Sequence, residues 1–306
     1  MHSYILIIAG GTGLIGSELV CKANAKGYEI VIISRDKDKI KKVFKEEYEV
    51  WGWGDELVEQ LQKCKARNYA IVNLAGSNIS EGKWNKRRKE DIMRSRIKAG
   101  NNLVEAIKGS GFGPKVFIQA SAIGYYGNKG DEILTEDSIK GDGFLAEVAD
   151  RWEDSTKEII KIGLKHAIIR TSVVLTEEGG MLKKLSVPFK YYFGNIPGNG
   201  KQWFSWIHLE DEINAILHLL ENELEGVFNL AAPKPILMEK LCKTLGKALN
   251  KPCWFKIHPM LLRLMFGEMA NELLLTSQRV IPKRLIEAGF KFKYETIEDA
   301  LQNIKL

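Results

Sequence analysis

Three glycines, Gly10, Gly13 and Gly16, follow the apolar run Tyr4-Ile-Leu-Ile-Ile-Ala9 and lead into a helical pattern that begins Ser17-Glu-Leu-Val20. Residues without a Cβ at a strand-to-helix turn suit one kind of chemistry, the holding of phosphate against backbone N–H groups at a helix N-terminus. Gly10 makes the tight turn, Gly13 lets backbone approach a pyrophosphate, and Gly16 lets the helix pack close. Thr12, Leu14 and Ile15 fill the places between and beside them. The glycines stand at first, fourth and seventh positions, where the common dinucleotide fingerprint has first, third and sixth. Glycine makes up 28 of 306 residues, so the flanking strand and helix are what give the spacing meaning. A tight turn that binds nothing is the alternative.

A dinucleotide selective for the unphosphorylated ribose needs Asp or Glu at the end of the second strand. Ser34 and Arg35 occupy that place, ahead of Asp36. A hydroxyl beside a guanidinium suits a 2′-phosphate, so NADP(H) is favoured and NAD(H) remains possible.

These groups need a scaffold, and strand and helix patterns alternate to supply it. The expected strands are 4–9, 28–33, 49–51, 69–74, 115–120 and 166–169, with one more over 227–230. Expected helices run to about Lys26, then over Lys37–Lys45, Trp84–Lys108, Phe144–Ile162 and Leu209–Leu220. Strands apolar nearly throughout, alternating with helices, imply an α/β fold. It is a Rossmann-type doubly wound parallel sheet covered on both faces. Gly179–Gly200, rich in glycine and aromatics, reads as a mobile loop with one short helix. From Pro233 the pattern is mostly helical, over Met238–Leu249, Pro259–Leu275, Pro282–Phe290 and Thr296–Ile304. The division implied is a dinucleotide domain over 1–232, with a substrate-loop insertion at about 176–204, and a small C-terminal cap over 233–306.

Composition bounds the remaining classes. Apolar residues at 45% and charged residues at 27% are ordinary for a globular chain, and the net charge of +6 is mild. The densest basic run, Lys86-Arg-Arg-Lys89, is followed at once by Glu90-Asp91 and reads as a solvated helix face, so no nucleic-acid partner is expected. Cys21, Cys64, Cys242 and Cys253 are far apart, with no metal-ligand or redox spacing, so no metal is expected. The first apolar segment is too short for a signal peptide's core, and no stretch could span a bilayer. The expectation is a cytoplasmic protein without a membrane partner, a monomer or homodimer. Met260–Met269 suits a packed helix face or a dimer helix.

Several stretches resemble the extended short-chain dehydrogenase/reductases, and within them the atypical branch of epimerase family proteins of unassigned substrate. They are Gly10–Gly16, Asn73-Leu-Ala-Gly76, Ser95-Arg96, Ser121-Ala-Ile-Gly-Tyr-Tyr-Gly127, Gly143-Phe-Leu-Ala-Glu147 with Trp152-Glu153, Arg170-Thr171, Ser205-Trp-Ile-His208 and Asn229-Leu-Ala-Ala-Pro233. The match runs nearly end to end. It implies that Gly10, Gly13, Gly16, Arg35, Leu74, Ala75, Gly76 and Ala120 line the cofactor. It also implies a substrate lobe from Gly179–Gly200 and the C-terminus.

Hydride chemistry in that superfamily rests on Tyr-x-x-x-Lys one helical turn apart, with a serine on the same oxygen. Ser121 is present, but the next helix opens with Phe144-Leu145 and continues with Val148-Ala149. A literal match, Tyr125-Tyr-Gly-Asn-Lys129, contains a turn signal that would not stack the two side chains. The candidate catalytic groups are therefore Ser121, Tyr126 and Tyr125. Glu147 is a base or half of a surface pair with Arg151. Arg170 is a cofactor or anion contact or a structural pair, His208 a structural cap or a catalytic group, and Lys201 with Trp203 line the substrate region. Two functions fit: an NADP(H)-dependent oxidoreductase or epimerase with an altered proton donor acting on a small unidentified substrate, and a non-catalytic NADP(H) redox sensor.

Overall fold

The computed structural model describes residues 4–304. Its first half runs β1 (Tyr4–Ala9), α1 (Leu14–Ala25), β2 (Glu29–Ile33), α2 (Lys37–Val43), β3 (Glu49–Trp51), α3 (Glu56–Gln62), β4 (Asn68–Asn73), α4 (Lys86–Ser110) and β5 (Phe117–Ala122). A 3-10 turn (Ile123–Tyr126) leads to β6 (Ile133–Leu134), α5 (Phe144–Asp154), α6 (Glu158–Lys161), β7 (His166–Thr171) and β8 (Val173–Leu175). Then come α7 (Gly180–Lys190), β9 (Gly194–Pro197), β10 (Trp203–Phe204), β11 (Trp206–His208), α8 (Leu209–Glu221) and β12 (Gly226–Leu230). The remainder holds β13 (Ile236–Leu237), α9 (Met238–Ala248), β14 (Cys253–Ile257), α10 (Pro259–Phe266), a π turn (Ala270–Leu274), β15 (Arg279–Val280), α11 (Lys283–Glu287) and α12 (Ile297–Gln302).

Seven strands form one sheet in the order β12-β7-β5-β4-β1-β2-β3, every pair parallel. β1 continues to β2 on one side and neighbours β4 on the other, the reversal that opens a crevice at the strands' C-terminal ends. Apolar residues alternate between two cores. Leu6, Ile8, Val72, Ile118 and Ala120 pack toward α1 and α8, whereas Ile5, Ile7, Ile71 and Phe117 pack toward α3 and α4. Both faces are covered, which is why the strands read as unbroken apolar runs.

Four sequence expectations change. Glu56–Gln62 is a short helix held by buried Leu57 and Leu61, and nothing in the sequence reading marked it. The helix expected over 144–162 breaks after Asp154, where Ser155 Oγ donates to the Trp152 carbonyl and Thr156 Oγ1 to that of Glu153, competing with helical continuation. The helix expected from Pro259 to Leu275 ends at Phe266, before Gly267 with φ +60°. Gly179–Gly200 is α7 followed by β9 and not a long mobile loop, because Leu182, Phe189 and Ile196 are buried in a third core with Leu241, Leu245 and Trp206. That core spans residue 233, so α7 and β9 pack as one body with α9. Among the described residues no helix is long and apolar enough to cross a membrane.

Candidate functional site

The glycine turn sits at the crevice. Gly10 has φ +86°, and a Cβ there would lie 2.8 Å from the carbonyl carbon and oxygen of Leu74. Gly13 N donates to Gly10 O at 3.0 Å and precedes α1, whose N-terminus no side chain caps and whose first turn holds no acid. A Cβ on Gly16 would collide with the Gly10 carbonyl, whereas one on Gly13 meets only that oxygen at 3.3 Å. Gly10 and Gly16 are therefore required by the turn itself, and exposed Gly13 leaves room for a ligand. Half-buried Thr12, Leu14 and Ile15 complete the wall, with Leu14 packed on Gly179 and Gly180 at the start of α7.

Across the crevice a buried amide ladder fixes the ends of β4 and β5. Asn73 Nδ2 donates to Gln119 Oε1 at 2.8 Å, Gln119 Nε2 to the Ala120 carbonyl at 2.7 Å, and Ala75 N to Asn73 Oδ1 at 3.2 Å. This presents Leu74, Ala75 and Gly76 to the crevice. Beyond Gly76, where a Cβ would sit 3.0 Å from its Cζ, lies Arg96. Arg96 donates to the carbonyls of Ser77 and Ile92 at 3.0 and 2.9 Å, lies over the Trp152 ring and has no carboxylate partner among the described residues. Burial, helped by Arg88, lowers its pKa to about 10, so it stays cationic at neutral pH. The sequence signal was an arginine within the apolar stripe Ile92, Arg96, Ala99, Leu103.

At the end of β2, Arg35 is exposed and makes no hydrogen bond or ion pair among the described residues. The neighbouring Asp36 is turned away, its Oδ1 accepting from Asp38 N and Lys39 N at 3.0 Å as the cap of α2. Ser34 Oγ bridges to Asp36, donating to its carbonyl at 3.0 Å and accepting from its N–H at 3.1 Å.

The three catalytic candidates separate. Ser121 Oγ donates to Glu153 Oε1 at 2.6 Å, and Arg170 closes on the same carboxylate through Nε at 2.8 Å and Nη2 at 2.9 Å. Arg170 Nη1 donates to Tyr126 Oη at 3.1 Å, and that hydroxyl donates to Asn229 Oδ1 at 2.7 Å. All five residues are buried. Burial pushes the Tyr126 hydroxyl up from its usual pKa, against the opposing pull of Arg170 and Asn229, which disfavours proton exchange at neutral pH. The hydroxyls of Ser121 and Tyr126, expected to face a substrate, are thus bonded inside this network, and three of the five N–H donors of Arg170 are directed at Glu153 and Tyr126.

Strand alternation gives the reason. Ser121 lies on the β5 face of Phe117 and Gln119, toward α5, and the residue turned the other way is Ala122. Tyr125 remains half-buried under the Arg170 guanidinium, 3.5 Å from its ring, with its hydroxyl unbonded among the described residues. Lys129 lies past the 3-10 turn that ends at Tyr126 and past Gly127 at φ +62°, so one helix does not stack Tyr125 on Lys129. Glu153 and Asn229, which organise the network, were not among the sequence candidates.

The expected substrate-side residues are dispersed. Glu147 is a surface pair, 2.7 Å from Arg151 and 3.1 Å from Lys140, and those cations hold its carboxyl below the usual range. His208 caps α8, its Nδ1 accepting from Glu210 N at 3.1 Å, and burial lowers it to about 4. Such a ring stays neutral and is no proton carrier near pH 7. The Trp203 indole donates to Asp131 at 2.8 Å beneath Arg279, and Lys201 is exposed. Lys86–Lys89 borders an open trough along α4 that Glu90, Asp91 and Glu268 also line, a mixed-sign face.

Comparison with known proteins follows this geometry. The profile of the NAD dependent epimerase/dehydratase family matches residues 6–143, and a domain of unknown function, DUF1731, matches 259–304. The chain is 35% identical over 300 residues to the chloroplastic epimerase family protein SDR39U1 homolog of Arabidopsis thaliana, covering 97% of this chain and 85% of that one. It is 34% identical to an epimerase family protein of Staphylococcus aureus, covering 97% and 98%. Among solved structures it is similar to human epimerase family protein SDR39U1 with NADPH, at TM-score 0.84 and 27% identity over 98% of both chains. It is also similar to a nucleoside-diphosphate sugar epimerase of Corynebacterium glutamicum, at TM-score 0.74 and 30% identity, covering 97% of this chain and 57% of that one.

Proposed function

The chain belongs to the epimerase family, the NAD dependent epimerases and dehydratases, and on that premise we propose that it binds NADP(H) and performs oxidoreductase or epimerase-like chemistry on a small substrate without the usual Tyr-x-x-x-Lys pair. The carrying observation is the end of β2, where Arg35 is exposed and unpaired while Asp36 is tied into the cap of α2. A guanidinium with no competing carboxylate favours a 2′-phosphate, and the human relative described with NADPH is consistent with that choice. The dinucleotide would run from Arg35 across Gly13 to the ends of β5 and β7. Beyond Gly76, past the end of β4, Arg96 offers a buried cation, and Tyr125 after β5 offers an unbonded hydroxyl. When bound, the cofactor supplies or accepts hydride; this chain's residues hold it, orient it and exchange a proton.

The test is a fluorescence titration with NADPH and NADH. A charge-assisted contact of about 1.5–3 kcal/mol makes wild-type prefer NADPH by roughly ten- to a hundredfold. Arg35→Asp abolishes that preference, and an unchanged preference in the variant would overturn the assignment.

A second reading, a non-catalytic NADP(H) sensor, draws on the placement of Ser121 and Tyr126 inside the buried network. Incubation with NADPH and carbonyl metabolite pools separates the two. NADPH consumption lost in Tyr125→Phe supports the enzyme, and tight binding with no consumption supports the sensor.

A further inference from the structure

The lobe built from α7, β9, α9, β14 and α10 is lopsided in charge. Residues 179–209 carry four lysines, and residues 240–267 carry five lysines and one arginine, with no Asp or Glu in either segment. The two segments are brought together in space: β9 pairs in parallel with β14, and α7 and α9 share one core beneath them. The same lobe displays large apolar side chains. Trp254 is 72% exposed, Met260 71% and Leu264 83%, alongside Tyr191 and Phe193. On α10 only Leu262 is buried; Met260, Leu261, Leu264 and Met265 share the outward face, so of the two expectations for this stretch the packed face is not met within the chain and the dimer helix is left. Lys251 Nζ lies 3.5 Å over the Tyr192 ring, placing the aromatic run 191–193 beside the start of β14. A folded chain seldom exposes so many large apolar groups along consecutive elements without a partner.

We propose that this face docks on a bilayer of anionic phospholipid. Charge selects that occupant. A second copy of the chain would meet the face with itself, lysine rim against lysine rim, and like charges facing each other are repulsive. Nucleic acid matches the lysines but offers nothing to the aliphatic outward face of α10. A bilayer interface satisfies both, because aliphatic groups enter the acyl region, Trp and Tyr rings sit at headgroup level, and lysines snorkel to anionic headgroups. Glu239, just outside the carboxylate-free segments, pairs with Lys243 and Lys256, Glu298 pairs with Lys240, and Glu268, which follows the second segment, is taken by Lys89, whereas Lys183, Lys190 and Lys247 have no ion-pair partner among the described residues. Association of this kind lies on the membrane and needs no spanning helix, and none is found among the described residues.

The test is co-flotation of the full chain with vesicles of phosphatidylcholine alone or with added phosphatidylglycerol, at low and high salt. Wild-type protein is expected on the anionic vesicles only, and released by salt. Leu264→Glu weakens binding at least about tenfold through lost apolar insertion, and Lys190→Ala and Lys247→Ala weaken it about fivefold each. These positions are exposed, and circular dichroism checks that each variant folds. Absence of enrichment on anionic vesicles overturns the proposal, as does binding indifferent to Leu264→Glu. A concentration-dependent dimer broken by Leu264→Glu reassigns the face to a second copy. Retention on single-stranded RNA, with none on vesicles, reassigns it to nucleic acid.

Discussion

Replacing Ser121 with alanine separates a structural serine from a catalytic one. The hydroxyl donates to Glu153 at 2.6 Å in a site where the Glu153 and Arg170 side chains are 9% and 5% exposed. Hydrogen bonds to charged groups contribute about 1.5–3 kcal/mol. Glu153 keeps both bonds from Arg170 in the variant, so the lower end, about 1.5 kcal/mol, is expected. Glu153→Gln is far more damaging, because it leaves Arg170 as an uncompensated buried charge, at about 3–5 kcal/mol. The two losses are coupled: the Ser121 contribution depends on the carboxylate, so the double variant costs little more than Glu153→Gln alone. Urea denaturation followed by circular dichroism measures the stabilities, and NADPH titration of each folded variant measures the site. The expected result for Ser121→Ala is a lowered midpoint with unchanged NADPH affinity and unchanged NADPH consumption. An unshifted midpoint together with collapsed consumption would show that the hydroxyl faces the substrate and that the assignment to the network is wrong.

Three further outcomes follow from buried ionisable groups. His166, whose ring contacts Thr156 Oγ1 at 3.0 Å, is lowered to about 4 by burial. The unfolded chain takes up its proton near pH 6.5 and the folded one does not. Stability is therefore complete above pH 6.5 and falls by roughly 3 kcal/mol as pH drops toward 4, an acid limb that His166→Gln flattens in pH-dependent thermal melts. Glu212 has the opposite sign. Burial raises it to about 8, its one hydrogen-bond partner among the described residues being Thr171 Oγ1 at 2.7 Å, so its contribution is complete below about pH 4.5 and is lost as pH rises toward 8. Glu212→Gln, which keeps that acceptor, raises stability at pH 8 by on the order of 3 kcal/mol; a lower melting temperature there would refute the buried neutral acid. Arg96→Leu lowers the melting temperature, because the Ser77 and Ile92 carbonyls lose their donor, and weakens NADPH binding by the folded variant about tenfold; unaltered affinity would remove Arg96 from the cofactor site.

The sheet was legible because strands covered on both faces leave unbroken apolar runs, and the phosphate turn because only glycine fits against Leu74 and the Gly10 carbonyl. The place of Arg35, exposed at the end of β2, was legible because it depends on sequence position alone. What was hidden depended on direction. Ser121 and Ala122 differ by one place on a strand, and that place decides whether a hydroxyl meets the crevice or the core. Glu153 and Arg170 lie 17 residues apart on a helix and a strand, and nothing local marks them as a bidentate pair. The segment 179–200 misled through its glycines, whereas its buried anchors Leu182, Phe189 and Ile196 find partners in segments distant in sequence, α9 and β11 among them.

The start of α5 then narrows where a proton can come from. The family pattern places a tyrosine in this region; here the first turn is Phe144-Leu145, and both backbone N–H groups donate to Glu272 at 3.2 Å. Gly143 suits this place because its φ of +112° is one that L side chains rarely adopt, and it leaves room for the Glu272 carboxylate. Phe144 is held by the Trp84 ring at 5.1 Å and by Lys89, which pairs with Glu268 at 2.8 Å. The segment around Glu268 and Glu272 thus occupies the helix N-terminus that would otherwise be free to stabilise an anion. A substrate anion competing for that turn would have to displace a carboxylate already in place. Ser121 and Tyr126 are bound into the core, and His208 is a neutral cap. Among the sequence candidates Ser121, Tyr126 and Tyr125, only the Tyr125 hydroxyl is unbonded among the described residues, so the enzyme reading predicts that Tyr125→Phe lowers NADPH consumption and the sensor reading predicts no consumption in either protein.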